Sequence, residues 1–131
     1  MSNIEFRYMY RDGGNYKKRG SVVFSNPDQL DNGPVESALR HAFLEDGLFI
    51  ASQIRVPEVF FFAGGTFSSD DHCFHEFDRV SSSTIRADDT HGRSIGEFLR
   101  EASREAQGGW RVFDPYDSEG SYGSLLSSRR S

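Results

Sequence analysis

Hydrophobic and polar positions alternate cleanly over "IEFRYMY": Ile4, Phe6, Tyr8 and Tyr10 fall on one face, and Glu5, Arg7 and Met9 on the other. This period of two predicts a half-buried strand. "GSVVFS" (20–25) predicts a second strand rich in β-branched residues. Between them "DGGN" (12–15) has the residues of a hairpin reversal, since glycine and asparagine tolerate positive φ. The pattern changes to a helical one after Gly33. Pro34 suits a first helical turn, Asn32 or Gly33 can cap it, and Gly47 supplies a stop. Val35, Ala38, Leu39, Ala42 and Phe43 form its apolar stripe.

Further on, "LFIA" (48–51), "VFFF" (59–62) and "HCFHEFDRV" (72–80) predict three more strands, with a break at Pro57. Residues 81–93 are polar and predict a mobile loop. Ser94 and Glu97 then have the spacing of a capping box. Ile95, Phe98, Leu99, Ala102 and Ala106 build a second amphipathic helix, ended by Gly108-Gly109. "WRVF" (110–113) predicts a last strand or anchor. Hairpin-linked strands with only two helices imply a single α+β domain, a mainly antiparallel sheet of four to five strands with both helices packed on it. That domain is expected over 1–113, with residues 114–131 as a flexible Ser/Gly-rich tail.

Composition sharpens this picture. The chain has 131 residues, room for one domain, and its apolar supply is dominated by aromatics, 12 of them Phe. The lone Cys73 can form no intrachain disulfide and no cysteine-based zinc site by itself. The opening residues lack a basic stretch followed by an apolar one, and no run approaches the roughly 20 apolar residues of a membrane span. A cytoplasmic, membrane-free protein is expected. Net charge is −5, which opposes general nucleic-acid binding. Residues 1–20 carry five cations against two carboxylates, so a +3 end sits on a body of −8.

The cationic end contains "YRDGGNYKKRG" (10–20). A Walker-type phosphate loop needs spaced glycines followed by Lys-Ser/Thr at the start of a helix; here the glycines are adjacent and the flanks are strands. Yet Tyr10, Arg11, Tyr16, Lys17, Lys18 and Arg19 interleave cations with aromatics, a combination suited to phosphates or an acidic protein surface. A solvated edge that discourages aggregation is the plainer reading. "SDDHCFHEFD" (69–78) gathers metal-ligating types. On a strand, however, His72, Phe74 and Glu76 share one face while Cys73, His75 and Phe77 share the other. A metal site from Asp71, His72, His75 and Glu76 would need help from Asp88, Asp89 or His91. No Gly-x-Ser-x-Gly elbow is present.

The combination "FRYMYRDGGNYK", "VVFSNP", "EDGLFIAS" and "DHCFHEF" resembles a family of small, uncharacterised bacterial proteins. The resemblance covers roughly residues 4–80 and implies a bacterial or phage setting, without catalytic or ligand residues to carry over. Three readings follow. The first is a non-enzymatic binding module without cofactor, engaging a partner protein or phosphate-bearing ligand through the N-terminal hairpin, with a homodimer also admissible. The second is a metal-dependent hydrolase centred on the Asp-Asp-His-x-x-His-Glu stretch. The third is a phage or mobile-element protein that inhibits a host defence complex.

Overall fold

A computed structural model describes residues 2–11, 16–59 and 72–113. Strands β1 (Asn3–Arg11) and β2 (Lys17–Phe24) precede helix α1 (Asn32–Ala42). Strand β3 (Leu48–Phe49) is framed by two short 3-10 turns, Glu45–Gly47 and Ala51–Ile54. Strand β4 (His75–Ser83) and helix α2 (Ile95–Gly108) complete the order. The sheet runs β2-β1-β4-β3, with every neighbouring pair antiparallel, and the α+β class expected from the chain is observed.

Alternation sets the inner face. Ile4, Phe6, Tyr8, Val22, Phe24, Phe77 and Val80 meet Val35 and Leu39 of α1 and Ile95, Phe98 and Ala102 of α2 in one core. Phe6 is its centre, with the rings of Tyr8, Phe43, Phe49, Phe77 and Phe98 between 5.0 and 6.3 Å away. Many of the described aromatics thus gather in one ring cluster, where each side chain buries a large apolar area. A second cluster joins Tyr10, Ile50, Cys73 and Phe113, which places the thiol among apolar neighbours.

Several elements differ from the expectation. Helix α1 begins at Asn32, with Asp31 at the N-cap, so Pro34 is its third residue, where the N–H would lack a helical partner in any case. It stops at Ala42, and Gly47 (φ +74°) closes the following 3-10 turn instead. Ala38, assigned to the apolar stripe, is exposed. "LFIA" gives only two strand residues before the chain turns into Ala51–Ile54. Strand β4 starts at His75 and continues through Ser83, with a bulge opposite Arg7/Tyr8. "WRVF" is an anchor: the Trp110 indole N–H donates to the Ala42 carbonyl (3.2 Å) and Phe113 is buried. The expected strand 59–62 beyond Val59, the turn 12–15 and the tail 114–131 lie outside the described residues.

The largest departure is the segment expected to be a mobile loop. Arg93 within it is only 6% exposed, and each of its five side-chain N–H groups has an acceptor. Nε and Nη2 donate to the two carboxylate oxygens of Asp89 at 2.9 and 3.0 Å. Nη1 donates to the Ile54 carbonyl and to Glu101, and Nη2 also donates to the Arg55 carbonyl. The guanidinium lies against the rings of Phe24 and Phe98. Arg55, in the left-handed region (φ 58°), grips the same Glu101 through Nε and Nη2 at 2.8 and 2.7 Å. Burial works to raise the carboxyls of Asp89 and Glu101, but the arginine hydrogen bonds outweigh it and hold both below their usual range. Helix α2 then starts on the expected Ser94–Glu97 capping box.

Two expectations for stability follow from these contacts. Tyr8 is fully buried, with its hydroxyl donating to the Pro57 carbonyl at 2.7 Å. A Cβ on Gly20, its cross-strand partner, would sit 2.8 Å from the Tyr8 ring carbon Cζ. Gly20→Ala should therefore cost about 1–3 kcal/mol in urea denaturation, the usual penalty of overpacking. Gly33→Ala, with nothing within 4 Å of the new Cβ, should be neutral or stabilising. Arg93→Met should cost about 3–5 kcal/mol by leaving buried Asp89 without its cation and Glu101 with Arg55 alone. Arg93→Lys should not restore the loss, because three donors on one nitrogen cannot reproduce the planar fork.

Candidate functional site

The face of the sheet turned away from the helices is charged. Arg7, Arg11, Lys17, Arg19 and Arg79 are set against Glu5, Glu76 and Asp78 on it, while Lys18, opposite Tyr10 in register, turns to the other side at the end of β2. Arg11 holds Glu76 through two hydrogen bonds of 3.2 Å, Arg19 reaches Asp78 at 3.5 Å, and Arg7 reaches Glu5 at 3.2 Å. Lys17, Lys18 and Arg79 are exposed and have no ion pair among the described residues. Arg7 stands directly opposite Arg79 in the β1–β4 register. Like charges in that position destabilise a sheet, so an anion bridging them would relieve the repulsion. A shallow groove of about 330 Å³ runs over Glu5, Arg7, Arg19, Ser21 and Asp78.

The predicted binding residues are only partly brought together. Tyr16 is 71% exposed and lies beside Lys17 and Lys18. Tyr10 is 0% exposed, packed against Ile50, Cys73 and Phe113, and cannot present its ring to a ligand. It shares the inner face with Ile4, Phe6 and Tyr8, as its spacing requires. Its hydroxyl accepts the main-chain N–H of His72 at 3.1 Å. Arg11 and Arg19 are on the outer face, already engaged with carboxylates of β4.

The two histidines fall on opposite faces, as alternation requires. Phe74 N–H donates to His72 Nδ1 at 3.1 Å, so the proton is on Nε2, 2.7 Å from the Arg11 carbonyl. His75 is fully buried between the rings of Tyr8 and Tyr10, and its Nε2 accepts Val59 N–H at 3.0 Å. Burial, and then the nearby His72, push the His75 imidazole down to about 3. It is a neutral core residue. A separate groove of about 240 Å³, lined by Arg11, Leu48, His72, Phe74 and Glu76, opens beside them. Glu76 is held by Arg11, and Asp71 lies outside the described residues. Among the described residues no three His, Cys, Asp or Glu side chains gather as metal ligands. Nor is any described helix long and apolar enough to cross a membrane.

Comparison of the chain with family models, curated proteins and solved structures returns no match, and nothing there bears on the resemblance of residues 4–80. Two features of the face were not anticipated. The pairing of hairpin arginines with Glu76 and Asp78 depends on β1 and β4 being neighbours across 65 residues of chain. Arg79 joins the cationic set only because β4 is bulged and extended.

His75 gives the face's underside a pH dependence. Its folded state stays neutral down to about pH 3, whereas the unfolded imidazole binds a proton near 6.5. Between these values the unfolded chain holds more protons, so stability falls as pH drops. Lowering the pH from 7 to 5 should cost about 2 kcal/mol in chemical denaturation. His75→Gln should flatten that dependence. The loss due to Asp89 and Glu101, held low, should come only below the usual carboxylate range of about 4. Stability independent of pH between 7 and 5 would contradict a buried neutral His75.

Proposed function

We propose that the protein is a small non-enzymatic binding module that engages an anionic partner protein or phosphate-bearing ligand through the charged face of its sheet. The contact surface is centred on Lys17, with Tyr16, Arg19, Arg7 and Arg79 around it on that face and Lys18 at the adjoining end of β2, turned to the other side. The observation that carries this reading is that Lys17 and Lys18 stand exposed without an ion pair among the described residues, while nearby Arg11 and Arg19 are paired. The Arg7–Arg79 opposition supports it, because repulsion stored in the free sheet is released when an anion binds. The hydrolase reading gains no such support, since the nitrogens of His72 and the Nε2 of His75 already serve the chain's own main chain. A bacterial cytoplasmic setting belongs to the same proposal, supported by the family resemblance.

Titration with polyglutamate and with pyrophosphate, followed by amide chemical shifts, tests the reading. Shifts should cluster at residues 7, 16–19 and 79. Lys17→Ser/Lys18→Ser should weaken binding about tenfold at low salt and reduce its salt dependence, while changing stability by less than about 0.5 kcal/mol. Shifts centred on the exposed Arg100 and Arg104 of α2, or no shifts at all, would refute it.

A further inference from the structure

We infer that the free edge of β2 takes up an acidic, extended peptide segment of a partner protein by strand addition. This rests on the anionic-partner reading above and specifies how the partner is held. Among the described residues β2 is the outermost strand on its side of the sheet. Its orientation is fixed by Val23, whose N–H donates to the Asp88 carboxylate (2.8 Å) and whose carbonyl accepts Asp88 N–H (2.9 Å). Val23 therefore turns both main-chain groups away from β1. The β1–β2 register runs without a shift from Ile4–Phe24 to Arg11–Lys17. Strand geometry alternates these groups residue by residue, so Ser21, Arg19 and Lys17 turn theirs outward as well. None of the three has a main-chain hydrogen bond on that side among the described residues.

Three outward donor–acceptor pairs, spaced about 6.8 Å apart, make a ladder for a segment of five to seven residues. Asp88 shows the fit within this chain: an acidic residue occupies the next position along the same edge by main-chain and carboxylate contacts together. Lys17, Lys18 and Arg19 flank the unoccupied part. They oppose a basic strand and favour one carrying Glu or Asp, which would also reach Arg7 across the shallow groove beside Ser21. A second copy is a poorer occupant. Antiparallel pairing of two β2 edges about Arg19 would set Arg19 against its own copy.

The test uses a fluorescein-labelled heptapeptide alternating Glu and Val, the same peptide N-methylated at alternate amides, and a Lys/Val version. The Glu/Val peptide should bind, and slow amide exchange at Lys17, Arg19 and Ser21 while leaving Lys18, Gly20 and Val22 unchanged. N-methylation should weaken binding by about tenfold or more, since it removes the ladder and keeps the charge. Ser21→Pro, which removes only an outward N–H, should do the same with the melting temperature checked in parallel. If both acidic peptides bind equally, and both are lost in Lys17→Ser/Lys18→Ser, strand addition is overturned while the cationic surface stands. If neither binds, strand addition by an acidic segment is overturned, and the pyrophosphate titration alone decides whether the cationic surface stands. Concentration-dependent self-association that protects the same three amides would overturn the acidic occupant in favour of a second copy.

Discussion

The guanidinium of Arg93 is the contact on which the arrangement of the outer segments depends. A buried cation is tolerable only when every donor is satisfied together, and Arg93 meets that condition with acceptors from three separate places in the chain, 54–55, 89 and 101. Two consequences reach the sheet. Because Arg93 holds the Ile54 and Arg55 carbonyls, the chain leaves toward Pro57 at a fixed height, and the Pro57 carbonyl meets the Tyr8 hydroxyl. Because it holds Asp89, the neighbouring Asp88 is placed on the edge of β2 at Val23. The same ion network therefore supports the core beneath the sheet and fixes where its covered edge ends.

The two faces of the sheet obey different physics. On the inner face Phe6 and its ring neighbours gain from area removed from water and from tilted or offset ring contacts. On the outer face the charges remain in water, where each ion pair is worth at most about 1 kcal/mol. The outer pairs therefore add little to stability, but they determine which cations stay available. Glu76 and Asp78 partly neutralise Arg11 and Arg19, so the remaining positive field is displaced toward Lys17 and Lys18 on one side and Arg79 on the other.

Much of this was legible in the chain and some was not, for identifiable reasons. The period of two in β1 and the Ser94–Glu97 capping box are local signals, and both elements formed as they predict. Alternation also placed Tyr10 with Phe6 and Tyr8, which already argued for burial; counting it among exposed binding residues set composition above periodicity. The segment 81–93 misled because a buried ion network and a solvated loop have the same polar composition. Their difference lies in contacts such as Arg93 with Ile54, 39 residues apart. "LFIA" misled because four apolar residues fit a strand and a buried 3-10 turn equally well, and its neighbours decided.

Lysines on an edge strand have an ordinary role in preventing sheet-to-sheet association, and that role is compatible with recognition. A protective charge acts by making an incoming strand leave its solvation unreplaced, so it excludes apolar and basic strands alike. An acidic strand removes the penalty because it replaces that solvation with a counter-charge. Asp88 illustrates the point on the adjoining stretch of the same strand, where a carboxylate and a main-chain pair close the edge together. Among the described residues the boundary between closed and open edge falls between Val23 and Ser21, and the cations begin immediately beyond it. Protection against most strands and selection of an acidic one are thus two results of a single charge arrangement.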